Sequence, residues 1–260
     1  MVSKDQLGRT LYFENFPQRI ISTVPSVSEL LYDLGLEQKV VGITKFCIHP
    51  AHWLSQKKII GGTKNLRFDA IESLSPDLII ANKEENTEAE IHYLMSKHKV
   101  WVSDINNLIE AEEFILEMGR ILDSKLNSDL LFSTIQKSRQ SFQKLVSDVT
   151  KEIRVCYLIW RNPYMAVGAE TYIHSMIKEC GFINVFEDKN RYPEVTLEDI
   201  LERNPDWVFL SSEPYPFKEI HLNEFGRLKA ILVDGEAFSW YGSHIIRSFY
   251  YFCNLVPQLT

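Results

Sequence analysis

Short apolar runs with little polar alternation punctuate the first hundred residues, at Arg19 to Thr23, Val40 to Thr44, Asp77 to Asn82 and Val100 to Asp104. Runs of this length predict strands covered on both faces of a parallel sheet. Between them SVSELLYDLG and EAEIHYLMSKH carry apolar residues three and four apart, so strand and helix alternate. Ser26 and Glu29, directly after Pro25, have the S-x-x-E spacing of a reciprocal capping box, and Gly35 marks that helix's end.

From Asn107 to about Val149 the strand signal stops. LIEAEEFILEMGRILDS and SDLLFSTIQKSRQSFQKLV are helical in period, and the second holds no Gly or Pro. Some 22 residues at 1.5 Å each predict a rod of roughly 33 Å, a stiff connection rather than a flexible linker. Alternation then resumes: EIRVCYLIW, NVFE, DWVFLSS and AILVDG as strands, TYIHSMIKECG and TLEDILERN as helices, and a closing helix from Ser243 to Leu255. The second half echoes the first. FDAIESLSPDLIIAN and LEDILERNPDWVFLS share an acid, an apolar helix, Pro-Asp and a hydrophobic strand, with Asp69 and Glu198 each seven residues before the proline. RIIST and RVCYLIW give a weaker second match. The expected organisation is two Rossmann-like α/β lobes, residues 1–106 and 151–260, joined through a helical segment, 107–150, that contains one long rigid helix.

Composition narrows the function. At 45% hydrophobic and 24% charged residues the chain builds a core, which leaves disordered and fibrous classes without support. Lys plus Arg number 28 against 35 Asp plus Glu, and a net charge of -7 with no basic patch argues against nucleic acid. No apolar run reaches the length of a membrane helix. MVSKDQLGRTLYF has no apolar leader core, which fits either a cytoplasmic protein or an exported one numbered after its leader was removed. Cys47, Cys156, Cys180 and Cys253 lie far apart without a CxxC pair and read as buried thiols. Dinucleotide, P-loop, zincin and nucleophile-elbow motifs are all missing, so the common motif-bearing enzymes lose ground.

In open parallel sheets ligands bind beyond the carboxyl ends of the strands, where loops and helix N-termini gather. Aromatic residues recur there: Phe46, Trp53, Trp160, Tyr164, Tyr192, Tyr215, Phe217, Phe238, Trp240 and Tyr241. Singly each reads as a ring packed back on the core; together they suggest an aromatic wall for a large flat or amphipathic ligand. CIHPAHW puts Cys47, His49 and His52 within six positions, either as metal ligands or as hydrogen-bonded loop residues. His174 and His244 read as satisfied or helix-surface histidines. Asp69 and Glu198 are either first-turn acids favoured by the helix dipole or matched carboxylates for a two-fold symmetric basic partner.

QRIISTVPSVSELLYDLGLEQKVVGIT, GGTKN, the FDAIESLSPDLIIAN unit, the long helix and TLEDILERNPDWVFLSSEPYPF together resemble the helical-backbone metal-receptor group of ABC-transporter substrate-binding proteins, from about Pro17 to Leu255. The likeness is nearest to the cobalamin-binding type. It implies a metal chelate held in a cleft between two lobes that close little, cobalamin ahead of ferric siderophore or haem, with no cofactor of the protein's own and no catalysis. It also implies docking of Asp69 and Glu198 on arginines of a dimeric permease by a monomeric binding protein. The ligand wall it implies is Phe46, Thr63, Lys64, Trp160, Tyr164, Tyr192, Glu213, Tyr215, Phe217, Trp240 and Tyr241, with Arg67, Arg161 and Arg191 for carboxylate or phosphate groups on the ligand. The position where the cobalamin type presents a tryptophan falls near Thr63. A metalloenzyme with CIHPAHW as its metal-binding loop, or a cytoplasmic corrinoid- or metal-handling protein on the same frame, are the alternatives.

Overall fold

The computed structural model describes residues 1–147 and 152–259, so the expected boundary at 150/151, like Val149, falls outside the described residues. The chain forms two compact α/β units. The first comprises Met1–Ile105, Ile109–Ile135 and Tyr241–His244; the second comprises Asn106–Leu108, Gln136–Trp240 and Ile245–Thr260. The division falls inside the 22-residue helix Lys125–Val146.

In the first unit a five-stranded parallel sheet runs in the order Lys58–Ile59, Val40–Ile43, Ile20–Ser22, Leu78–Asn82, Val100–Ser103. Every residue of Ile20–Ser22, Leu78–Asn82 and Val100–Ser103 is buried, as the unalternating apolar runs require. Ile21, Ile60, Ile71, Ile79, Ile91, Leu94 and Val102 form one core cluster on this sheet. In the second unit the parallel path is Phe182–Asn184, Ile153–Trp160, Trp207–Ser211, Ala230–Val233. Strands Tyr164–Ala166 and Glu194–Val195 extend the same sheet antiparallel, the former pairing with the last residues of Ile153–Trp160. In both units the chain leaves a central strand for one neighbour and returns on the other side, placing the topological switch point beside that strand.

The repeat extends to single side chains. In the first unit the Arg19 guanidinium donates to the carbonyls of Leu74 and Ser75, and the Asp77 carboxylate accepts from the backbone N–H of Gln18 and Arg19. In the second, Arg154 donates to the carbonyls of Arg203 and Asn204, and Asp206 accepts from the Arg154 N–H. Ser75 and Asn204, each directly before the proline, both take positive φ, 43° and 48°. One arginine–aspartate clamp therefore fixes the turn into the second central strand of each unit.

Three local expectations need correction. The helix Pro25–Asp33 carries no side-chain N-cap, because its N-cap is Val24 and Ser26 lies inside the first turn; Glu29 is buried and meets His244, Oε2 to Nδ1 at 2.8 Å. Reciprocal capping occurs elsewhere, between Thr196 and Asp199. The strand expected at NVFE is Phe182–Asn184, because the Asn184 side chain accepts the Phe186 N–H and turns the chain there. Tyr164, expected in a loop beyond the strand EIRVCYLIW, lies instead in the strand Tyr164–Ala166, which folds back on Ile153–Trp160 through Asn162, whose φ is 63°.

Candidate functional site

At the strand ends of the first unit the backbone sets a polar frame under an exposed ring. Asn86, itself buried, accepts from the Thr23 hydroxyl at 2.7 Å and the Asn82 N–H at 3.0 Å, and donates to the Thr63 carbonyl at 2.7 Å. It thus ties the two strands flanking the switch point to the turn of the Gly61–Gly62, Asn65–Leu66 hairpin. The other anchor is Glu90, which accepts the Leu66 N–H and the Thr87 hydroxyl. Phe46 lies over this hairpin, half exposed at 50%; a Cβ on Gly62 would stand 3.2 Å from its ring. The Lys45 ammonium sits 5.0 Å from the same ring, a cation–π distance. Lys64 and Arg67 are exposed nearby in sequence, with Arg67 turned to Asp69 at 3.5 Å.

Cys47, His49 and His52 of CIHPAHW have separate partners. Cys47 is buried beside Thr44, Sγ to Oγ1 3.2 Å, and burial pushes its thiol above the ordinary range, which disfavours the thiolate that binds metal. His52 meets Glu37 at 3.0 Å, and Glu37 also accepts the Trp53 indole N–H. Those bonds from His52 and Trp53 hold the Glu37 carboxyl below its usual range. The His49 ring lies 6.4 Å from that of His244. Among the described residues no group of three or more His, Cys, Asp or Glu is placed to hold a metal ion.

In the second unit two of the named residues, Arg161 and Tyr164, meet on one carboxylate. Glu224 accepts from Arg161 Nε on both oxygens at 3.0 Å and pairs with Arg161 Nη2 at 2.9 Å. It also accepts the Tyr164 hydroxyl. Glu224 foremost, then Tyr215, raises the affinity of Arg161 for protons further. The Arg161 and Tyr164 bonds hold Glu224 below its usual range, while partial burial and then the bond to Glu224 push Tyr164 up to about 12. Trp160, 40% exposed, meets Tyr215 edge to face at 5.7 Å, and Tyr215 meets Phe217 at 4.9 Å. Glu213 is mostly buried and accepts the Ser239 hydroxyl and the Trp240 indole N–H, each at 2.8 Å; burial raises its pKa. Arg191 donates to Asn106 Oδ1 and the Glu170 carbonyl, with its guanidinium 5.8 Å from the Tyr192 ring centroid.

The expected wall is therefore divided. Phe46, Trp160, Tyr164, Tyr192 and Tyr215 keep surface, whereas Phe217, Trp240 and Tyr241 are buried to 5%, 6% and 6%. Trp53 and Phe238 belong to the core outright. Tyr241 lies in the first unit, its hydroxyl 3.2 Å from Ser103 Oγ and its ring against Phe114. Burial of so many rings follows from their apolar area, which packing removes from water wherever the backbone allows. Arg161, expected to await a ligand, is committed to Glu224. Glu224, Asn86 and Glu90 escaped sequence reading because HLNEF and KEENTEAE carry no spacing that links them to RNPY or GGTKN. Asp69 and Glu198 occupy the second position of the equivalent helices Phe68–Ser73 and Leu197–Arg203 and are exposed.

A family profile described as periplasmic binding protein matches residues 20–225. An uncharacterized ABC transporter substrate-binding lipoprotein, YvrC of Bacillus subtilis, is 24% identical over 211 residues, 78% of this chain and 67% of its own. A vitamin B12-binding protein of Vibrio cholerae is 26% identical over 207 residues, 78% of this chain and 74% of its own. Among solved structures, a periplasmic heme binding protein from Pseudomonas aeruginosa superposes with a TM-score of 0.80 at 16% identity, over 92% of each chain. These are binding proteins and not enzymes.

Proposed function

The chain belongs to the periplasmic binding protein family, and from that premise we propose that it captures a metal chelate outside the cytoplasm, cobalamin first with haem or ferric siderophore next, and delivers it to an ABC permease. The observation that carries the reading is the pair of exposed rings at the strand ends of the two repeated units, Phe46 over the hairpin that Asn86 anchors and Trp160 against Tyr215. Large flat surfaces of this kind hold a macrocycle by area, at about 25 cal/mol per Å² of apolar surface buried. Frames already hydrogen-bonded before binding reduce the ordering cost. Cobalamin stands first because the relative from Vibrio cholerae is a vitamin B12-binding protein. In this reading Thr63, Lys64 and Arg67 of the first unit and Tyr164, Arg191, Tyr192 and Tyr215 of the second are the further contact residues.

Asp69 and Glu198 are the docking carboxylates. Their equivalent helix positions, exposure and acidity suit arginines on two matching permease subunits. The function is binding and release, with no bond made or broken. The test is a titration of the purified chain with cyanocobalamin, haemin and a panel of ferric siderophores, followed by absorbance and thermal shift. One coloured ligand is expected to bind without turnover and to raise the melting temperature, and a null result across the whole panel would end the proposal.

A further inference from the structure

Resting on that reading, the geometry of the second unit points to Glu224 as the residue that sets charge selectivity: by occupying Arg161, it turns the ring face of Trp160 and Tyr215 toward uncharged chelates and against carboxylate-bearing ones. Arg161 follows Trp160, whose ring packs on Tyr215, so a cation stands one residue along the chain from this ring pair. An arginine with an open fork there would pair with a ligand carboxylate in bidentate fashion. Instead both Glu224 oxygens lie within 3.0 Å of Nε, Nη2 is 2.9 Å from Oε1, and the Tyr164 hydroxyl donates to Oε2.

Glu224 is tethered to the same unit, so an incoming carboxylate competes with a partner that never diffuses away. It would also approach a site that already holds one negative charge for its one positive charge. A neutral amide or an apolar ring edge meets no such penalty. The other acid at this strand end, Glu213, faces inward to Ser239 and Trp240, and Arg191 is engaged by Asn106 and Glu170. Lys218 is exposed beyond Phe217, but it is common to every variant compared below and cancels in a ratio.

The experiment titrates three full-length chains, the parent, Glu224→Gln and Arg161→Gln, with cyanocobalamin and with haemin, whose propionates are carboxylates. The readout is the ratio of the two affinities, with thermal melts as a folding control. The parent favours cyanocobalamin. Glu224→Gln shifts the ratio about tenfold toward haemin, the order expected when one charge-assisted pair becomes available to the ligand. Arg161→Gln shifts it the opposite way, because Glu224 is left as an unneutralised carboxylate; this arm decides the matter if Glu224→Gln does not fold. A parent that favours haemin, or a ratio unmoved in a folded variant, overturns the inference while leaving the binding function intact. A parent that binds neither probe, together with no response to the siderophore panel, removes the premise and the inference with it.

Discussion

Ser75 and Asn204 stand at the same place in the repeat and pose the same backbone problem with different side chains. Both sit at positive φ. A left-handed conformation costs a non-glycine residue about 1–2 kcal/mol, while asparagine tolerates it by local hydrogen bonding. Glycine relieves that cost but loses about 0.5–1 kcal/mol through the unfolded chain's greater freedom. Ser75→Gly is therefore expected to stabilise by about 0.5 kcal/mol, and Asn204→Gly to change little, by denaturant midpoints. A Ser75→Gly chain weaker than its parent would refute this account of the turn. At this scale the sequence exposed Pro-Asp and the arginines of RIIST and RVCYLIW as a repeat, but not their bond. The clamp closes across 58 positions in one unit and 52 in the other, a separation that no local pattern encodes.

Helix and strand identities followed from periodicity, because burial on one face or both imposes its period on the apolar positions. The helices Leu108–Ile121 and Lys125–Val146, the latter 22 residues long, agree with the uninterrupted three-and-four spacing. What periodicity left unstated is how two elements meet. Gly119 faces Ser128: a Cβ on Gly119 would stand 1.9 Å from the Ser128 Oγ and 2.3 Å from its Cβ, and Ser128 is fully buried. The contact explains a glycine inside the last turn of Leu108–Ile121, where glycine otherwise costs up to about 1 kcal/mol against alanine. Gly119→Ala should destabilise the chain by about 1–3 kcal/mol through overpacking, and adding Ser128→Gly should recover part of that loss. Urea denaturation of both single variants and the double would show it; strict additivity would mean that the two positions do not touch. The misplaced capping box belongs to this scale as well. S-x-x-E at Ser26 marks a helix start, yet Glu29 is drawn inward by His244, more than two hundred residues away.

At the scale of the molecule, two units of like topology come from two halves of like pattern, and the family match runs through both. Matched acids are a surface feature that this repeat produces twice, so the permease reading is tested there. Replacing Asp69 and Glu198 by lysine together should abolish association with the cognate permease, measured by co-purification, while ligand affinity stays within about twofold, since exposed charges act mainly on encounter and register. Retained association in the double variant would reject these two residues as the docking pair. By itself the sequence determined the element types, the duplication, the long helix and the acids at matched positions, because period, punctuation and spacing are local and survive in one dimension. Only the tertiary structure decided which rings stay exposed, which arginine is already engaged, and which polar groups are satisfied inward. Those outcomes depend on contacts between distant segments, where hydrogen bonding and exclusion of water select one partner among many that the sequence permits.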